Sequence, residues 1–117
     1  MNLLVLGLNH KTAGVEIRER LAFSGDKLPI GLQKIKGLTN VKEVAILSTC
    51  NRVEVFAVTI DERAFDDIKA MLSEIHGIET HLFSPHLYSY TGKKAVRHVF
   101  RVASSLDSMV VGEPQIL

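Results

Sequence analysis

Two runs rich in β-branched and aromatic residues, Glu43 to Ser48 and Arg52 to Thr59, stand with only Thr49-Cys50-Asn51 between them. A connection that short joins antiparallel strands, because a parallel return needs a crossover of a dozen or more residues. The centre of the chain therefore reads as a β-hairpin. Upstream, Asn2 to Leu8 is an apolar run bounded by Asn9-His10-Lys11-Thr12, which suits a central strand leaving through a polar turn. Ile17 and Leu21 stand four apart among Glu16, Arg18, Glu19 and Arg20, as a short exposed helix requires. Ser24 or Asp26 is placed to cap a second helix carrying Leu28, Leu32 and Ile35, with Pro29 tolerated in its first turn and Gly37 at its end.

Residues 63–76 form the cleanest helical pattern, with Ala64, Phe65, Ile68, Met71, Leu72 and Ile75 on one stripe and Gly77 just past the end. Leu87 to Tyr90 reads as a weak fourth strand. Lys93 to Ser104 reads as a last helix with Ala95, Val96, Val99, Phe100 and Ala103 on its buried side. The order βα(α)ββαβα, with antiparallel middle strands, predicts an α+β fold: a ferredoxin-like βαββαβ sandwich with additional short helices.

At 117 residues, 46% apolar and 23% charged, the chain is the size of one domain. Fourteen Lys plus Arg against thirteen Asp plus Glu leave a net charge of +1, which removes the domain-wide basic field of a dedicated nucleic-acid binder. A local basic face stays open. One cysteine excludes an intramolecular disulfide framework and a four-thiolate zinc site, and it fits a reducing, cytoplasmic location. The longest apolar run is too short to span a bilayer, and no membrane association is expected. The apolar ending Gln115-Ile116-Leu117 reads as that of a truncated piece.

Cys50 lies at the hairpin connection, where a loop on two rigid strands meets ligands. Two readings stand for it, a small buried hydrophobe or a nucleophile. An ordinary thiol is only about 3% ionised at neutral pH, so a nucleophile needs help. Arg52, the hydroxyls of Ser48 and Thr49 and the turn's N–H groups are the candidates to stabilise a thiolate or oxyanion. His98 stands at the border between the apolar stripe of the last helix and a face bearing Lys94, Arg97 and Arg101, and reads either as an amphipathic border residue or as one reaching a cleft. His10 is equally open, lining a strand-end site or capping a turn. His76, His81 and His86 match no metal-ligand spacing and are read as surface residues, and no metal is predicted. Lys93, Lys94, Arg97 and Arg101 make the one concentrated basic patch. It lacks interleaved aromatics, so phosphate contact stays open while base stacking is not indicated. Leu106 to Gln115 reads either as a pocket wall or as an ordinary loop.

Five stretches combine into a specific pattern: Gly7-Leu8-Asn9-His10-Lys11-Thr12-Ala13, Val15 to Glu19, Ser48-Thr49-Cys50-Asn51-Arg52-Val53-Glu54, Ala95-Val96-Arg97-His98, and Leu106-Asp107-Ser108 through Gly112-Glu113-Pro114-Gln115-Ile116-Leu117. With them the chain resembles the glutamyl-tRNA reductase family from residue 2 to its end. The resemblance implies that residues 1–117 are the N-terminal catalytic domain, truncated before a spinal helix, an NADPH-binding domain and a dimerisation domain. It implies that Cys50 attacks the aminoacyl ester of glutamyl-tRNA to give an enzyme thioester. NADPH bound elsewhere then reduces it to glutamate-1-semialdehyde for tetrapyrrole synthesis. His98 matches a histidine important for activity, through a hydrogen bond to the ester or proton delivery to the departing ribose oxygen.

Thr49, Asn51, Arg52, Ser108, Glu113, Pro114 and Gln115 match substrate-contacting positions, with Arg52 suited to the glutamyl carboxylate by its planar fork. Glutamyl-tRNA is the implied partner, and a homodimer is expected of the longer enzyme through the absent domain. Gly14 and Ser105 depart from the family's usual proline and glycine. The first is expected to loosen a helix start and the second to alter only local loop geometry. The competing readings are a non-enzymatic ferredoxin-like module that binds RNA or a metabolite around a structural cysteine, and a thiol redox sensor.

Overall fold

The computed structural model describes residues 2–112, with side chains as far as Ser105. The elements are β1 (Asn2–Asn9), α1 (Val15–Leu21), α2 (Lys27–Lys36), β2 (Val41–Ser48), β3 (Arg52–Thr59), α3 (Arg63–His76), a short α4 (Thr80–Phe83) running into a 3-10 turn (Ser84–His86), β4 (Tyr88–Thr91) and α5 (Gly92–Gly112). The four strands form one sheet in the order β2-β3-β1-β4, with every neighbouring pair antiparallel. This is the expected α+β, ferredoxin-like arrangement. Among the described residues no helix is long and apolar enough to cross a membrane.

Alternation in the strands divides the sheet into two faces. Leu4, Leu6 and Leu8 of β1 pair across to Ala57, Val55 and Val53 of β3, and this face packs on α1, α2 and α3. Leu21, Ile35, Ile68, Leu72 and Phe83 close the apolar core. The α3 stripe runs where periodicity places it, and Gly77 ends the helix in the left-handed conformation at φ 61°. Asp26 precedes α2 as expected, but its side chain makes no capping bond.

The other face belongs to α5, and here the sequence reading of the buried stripe is corrected. Ala95, His98 and Val102 are buried, whereas Val96 is 45% and Phe100 69% exposed. The helix is rotated because its inward side must accept a polar group from the sheet, which Phe100 cannot satisfy. Ser105 is likewise helical rather than in a loop, and α5 continues through residues 106–112, so the loop reading there gives way to a helix, while residues 113–115 of that stretch lie outside the described residues. Gly14 caps α1 at φ −69°, an angle that proline shares, so its departure costs unfolded-state entropy and no native geometry. His76 is corrected too. It is half-buried against Phe23, with ring centroids 4.5 Å apart and both ring nitrogens buried without a partner among the described residues. Burial, with the Lys27 charge second, lowers its pKa to about 4.

Candidate active site

The hairpin tip has its backbone tied down by a set of hydrogen bonds. Thr49 N–H donates to the Arg52 carbonyl at 2.8 Å, and Thr49 Oγ1 accepts from the N–H groups of Asn51 and Arg52, both at 3.2 Å. His10 N–H donates to the Asn51 carbonyl at 2.9 Å. From α1, Arg18 donates through Nε to the Cys50 carbonyl at 3.3 Å and through Nη1 to the Ala13 carbonyl at 2.7 Å. Cys50 is thus tied by its backbone while its side chain is exposed. A cleft of about 150 Å³ opens beside it, lined by residues 49–52 with His10, and by Val102 and Ser105 of α5.

Several expected contributions to the thiol are not made. Ser48 Oγ accepts from Phe23 N–H at 2.9 Å, and the amides of Thr49, Asn51 and Arg52 are engaged within the turn. Arg52 remains beside the thiol in the same cleft, 3.4 Å from Glu54 Oε1 through one corner of its guanidinium.

Glu54 is the centre of the α5 face. It is fully buried, two residues along β3 from Arg52, and its register partner on β1 is Gly7. A Cβ at Gly7 would come within 2.8 Å of the Glu54 side chain and 2.5 Å of the Val53 carbonyl, so only glycine leaves room for the carboxylate. Glu54 Oε2 accepts from the Tyr88 hydroxyl at 2.6 Å and from His98 Nε2, while Oε1 faces Arg52. A buried carboxylate is tolerable when donors surround it, and three do. Burial, and then the Glu54 carboxylate, pushes the Tyr88 hydroxyl above its usual range, so Tyr88 stays a donor. With Nε2 turned to a carboxylate, Nδ1 is the ring atom that His98 has left, and it is buried with no partner among the described residues.

His98 does not line the Cys50 cleft. It lines a neighbouring one of about 260 Å³ with Tyr90, Lys94, Arg97 and Arg101. The linings of the two clefts both draw on α5, where Val102 stands one turn beyond His98, and are linked by the contacts His98–Glu54–Arg52. A larger cleft of about 330 Å³ at the far end of the sheet, around Thr59, Asp61, Phe65 and Thr91, is lined by neither a thiol nor an imidazole. Among the described residues no group of three or more His, Cys, Asp or Glu is arranged to hold a metal.

A family profile described as "Glutamyl-tRNAGlu reductase, N-terminal domain" matches residues 6–117. The chain belongs to this family. The glutamyl-tRNA reductase of Citrifermentans bemidjiense is 54% identical over 118 residues, which cover 100% of this chain and 27% of that protein. That of Trichlorobacter lovleyi is 53% identical with the same coverage. Among solved structures, glutamyl-tRNA reductase from Methanopyrus kandleri superposes with a TM-score of 0.63 at 33% identity, over 97% of this chain and 25% of that one. The chain spans about a quarter of the length of these relatives.

Within this member of the family, the structure brings Thr49, Cys50, Asn51 and Arg52 into one cleft and sets His98 in the next. Ser108 lies in α5 beyond the described side chains, and Glu113, Pro114 and Gln115 lie outside the described residues. Three residues escape a sequence reading. Glu54 looks like an outward position in an alternating strand, Tyr88 like a weak-strand residue, and Arg18 like part of an exposed helix face. The signal that could have found them was His98 itself: a histidine bordering an apolar stripe needs a buried partner, and Glu54 is the one acidic residue of β3. Ser105, read as a matter of loop geometry, puts a hydroxyl-bearing residue on the wall of the Cys50 cleft.

Proposed function

We propose that this chain performs the acyl-transfer step of a glutamyl-tRNA reductase, with Cys50 as nucleophile. The observation that carries this reading is an exposed thiol on a backbone-clamped hairpin tip, with Arg52 beside it held from behind by buried Glu54. The Cys50 thiolate attacks the carbonyl carbon of the glutamyl ester, a C–S bond forms, and the C–O bond to the ribose breaks. The proton lost by the thiol balances the one gained by the departing ribose oxygen. His98 Nδ1 delivers that proton from the adjacent cleft, one helical turn away, with Glu54 fixing the ring. The uncommitted part of the Arg52 fork receives the glutamyl side-chain carboxylate.

In the longer enzymes NADPH is the expected hydride source. The described residues do not fit such a group, because β1 leaves through Asn9-His10-Lys11-Thr12 rather than a glycine-rich turn into a helix. The proposal therefore ends at the thioester. Tetrapyrrole synthesis, a cytoplasmic setting and a homodimer are expectations for the longer protein. A buried thiol would have favoured a structural role for the cysteine, and Cys50 is exposed.

The test is rapid acid quenching after mixing with glutamyl-tRNA, followed by intact-mass analysis. A glutamyl adduct on the wild-type chain and none on Cys50→Ser is the expected result. An adduct that persists on Cys50→Ser would overturn the assignment. Arg52→Lys should weaken recognition of the glutamyl group, because a point charge replaces a two-pronged donor, and an unchanged adduct yield would remove that role.

A further inference from the structure

The guanidinium of Arg18, on α1, meets two carbonyl oxygens that belong to very different places. Nη1 donates at 2.7 Å to the carbonyl of Ala13, a core residue only 5% exposed, and Nε donates at 3.3 Å to the carbonyl of Cys50 on the exposed tip. The Ala13 end is an anchor. Its turn is closed by the N–H groups of Thr12 and Ala13 on the Asn9 carbonyl, at 3.0 and 2.9 Å, and by Lys11 N–H on Asn9 Oδ1 at 2.9 Å. From outside, His86 Nδ1 donates to the Thr12 carbonyl at 2.9 Å. The Cys50 end has no such support of its own. Thr49, Asn51 and Arg52 bond to one another and His10 N–H holds the Asn51 carbonyl, but among the described residues Arg18 is the one donor to the Cys50 backbone. An arginine on a surface helix is ordinarily solvated or paired with a carboxylate. Arg18 is half-buried, pairs with no carboxylate among the described residues, and turns its fork to two neutral oxygens instead. Because the fork is planar and rigid, holding one oxygen on the core fixes where the other stands.

We propose that Arg18 is a positioning residue for the acyl-transfer step: it fixes the Cys50 peptide relative to the core, and with it the direction from which the sulfur meets the ester carbonyl. The inference rests on the reading of Cys50 as acyl acceptor and adds a residue 32 positions upstream that sets where the sulfur stands. Attack needs the reacting atoms about 3–3.5 Å apart and aligned, and a misplacement of about 1 Å costs on the order of a hundredfold in rate. Arg18 touches neither ester nor sulfur in this role. Its effect passes through the backbone of the residue that does.

The experiment compares the unmodified chain with Arg18→Ala, Arg18→Lys and, as control, Arg20→Ala, an exposed position on the same helix. The first measurement is 15N relaxation of the amides of residues 50 and 51. Order parameters near about 0.85 in the unmodified chain and in Arg20→Ala should fall below about 0.6 in Arg18→Ala. The second is single-turnover acylation by glutamyl-tRNA over a range of concentrations. Arg18→Ala should lower the saturated rate by roughly thirtyfold or more and move the half-saturating concentration by less than about threefold, since the substrate's own contacts remain. Alkylation of Cys50 by iodoacetamide should stay within about twofold, because an untethered reagent needs no set direction. Arg18→Lys, with one donor centre in place of a fork, should lie between the two, and it carries the same test if Arg18→Ala does not fold.

Unchanged order parameters, or an unchanged saturated rate, would overturn the proposal. So would a loss of acylation matched by an equal loss of alkylation, which would mean that Arg18 acts on the reactivity of the thiol and not on its placement. If the unmodified chain takes up no glutamyl group while the order parameters fall as expected, the failure is that of the acceptor reading, and the clamp on the tip stands.

Discussion

The two faces of the sheet solve the same packing problem with different chemistry. Against α1, α2 and α3 the sheet presents Leu4, Leu6, Leu8, Val53, Val55 and Ala57, and the helices answer with Leu21, Ile35, Ile68 and Leu72. Against α5 it presents Val5, Gly7, Glu54, Tyr88 and Tyr90, and the helix answers with Ala95, His98 and Val102. The first face gains stability from buried apolar area and needs only approximate complementarity. The second adds to the apolar contacts of Val5, Ala95 and Val102 a buried carboxylate that needs its donors, and the atom left open there among the described residues, His98 Nδ1, belongs to a residue that lines a cleft. A core that is dry on one side and hydrogen-bonded on the other separates holding the fold from positioning the site.

That contrast is open to direct attack. Phe83→Ala, in the dry core, should cost about 3–5 kcal/mol in urea unfolding, and the accessibility of Cys50 to a thiol reagent should not change in the folded state. Gly7→Ala should cost about 1–3 kcal/mol from overpacking and also displace Glu54, so adduct formation from glutamyl-tRNA should fall well beyond the stability loss. Glu54→Gln keeps the shape and removes the charge, and should cost about 1–3 kcal/mol with at least a tenfold drop in adduct rate. A full adduct rate in Glu54→Gln would erase the division between the two faces.

His76 sharpens the contrast from the dry side, since it is a polar group left without partners there among the described residues. Its folded-state pKa of about 4 lies below the ordinary 6.5, so the unfolded chain takes up the proton first as pH falls. The neutral form's contribution is complete above about pH 6.5 and is lost as pH drops toward 4. His76→Leu should therefore gain about 1–2 kcal/mol more at pH 5 than at pH 8, measured by thermal or urea unfolding. Equal effects at both values would mean the imidazole is solvated in the folded state. The smallest effect belongs to Phe100→Ser, expected within about 0.5 kcal/mol because the ring is already in water. A loss of about 2 kcal/mol or more, well outside the range of a surface change, would show that something covers that side of α5.

The legible parts of the molecule are those governed by local periodicity. The hairpin around Cys50, the strand Asn2–Asn9 and the helix over 63–76 are written in spacing, because each buries one apolar face against an apolar neighbour. The α4 segment and its 3-10 turn were not legible, since seven residues around His81 and Pro85 are too few to show a period. On α5 the apolar residues themselves misled: Val96 and Phe100 are the more hydrophobic choice, and the helix turns His98 inward instead. For the candidate site, Cys50 and Arg52 stand two residues apart in sequence and line one cleft. Tyr88 and His98 lie 34 and 44 residues beyond Glu54, and the three meet only across three elements.

By itself the sequence determined the four strands and the longer helices, the antiparallel centre and a cysteine presented at a loop. Those follow from short-range sterics and the separation of apolar from polar side chains. Only the tertiary structure decided which face of α5 points inward, that a carboxylate is buried opposite a glycine, and that His98 opens onto a cationic cleft beside the thiol rather than onto the thiol itself. The physical reason is that a buried polar group has no periodicity to announce it. Its position is set by partners that chain folding brings together from distant segments, and the hydrogen bonds that make its burial tolerable exist only once they have met.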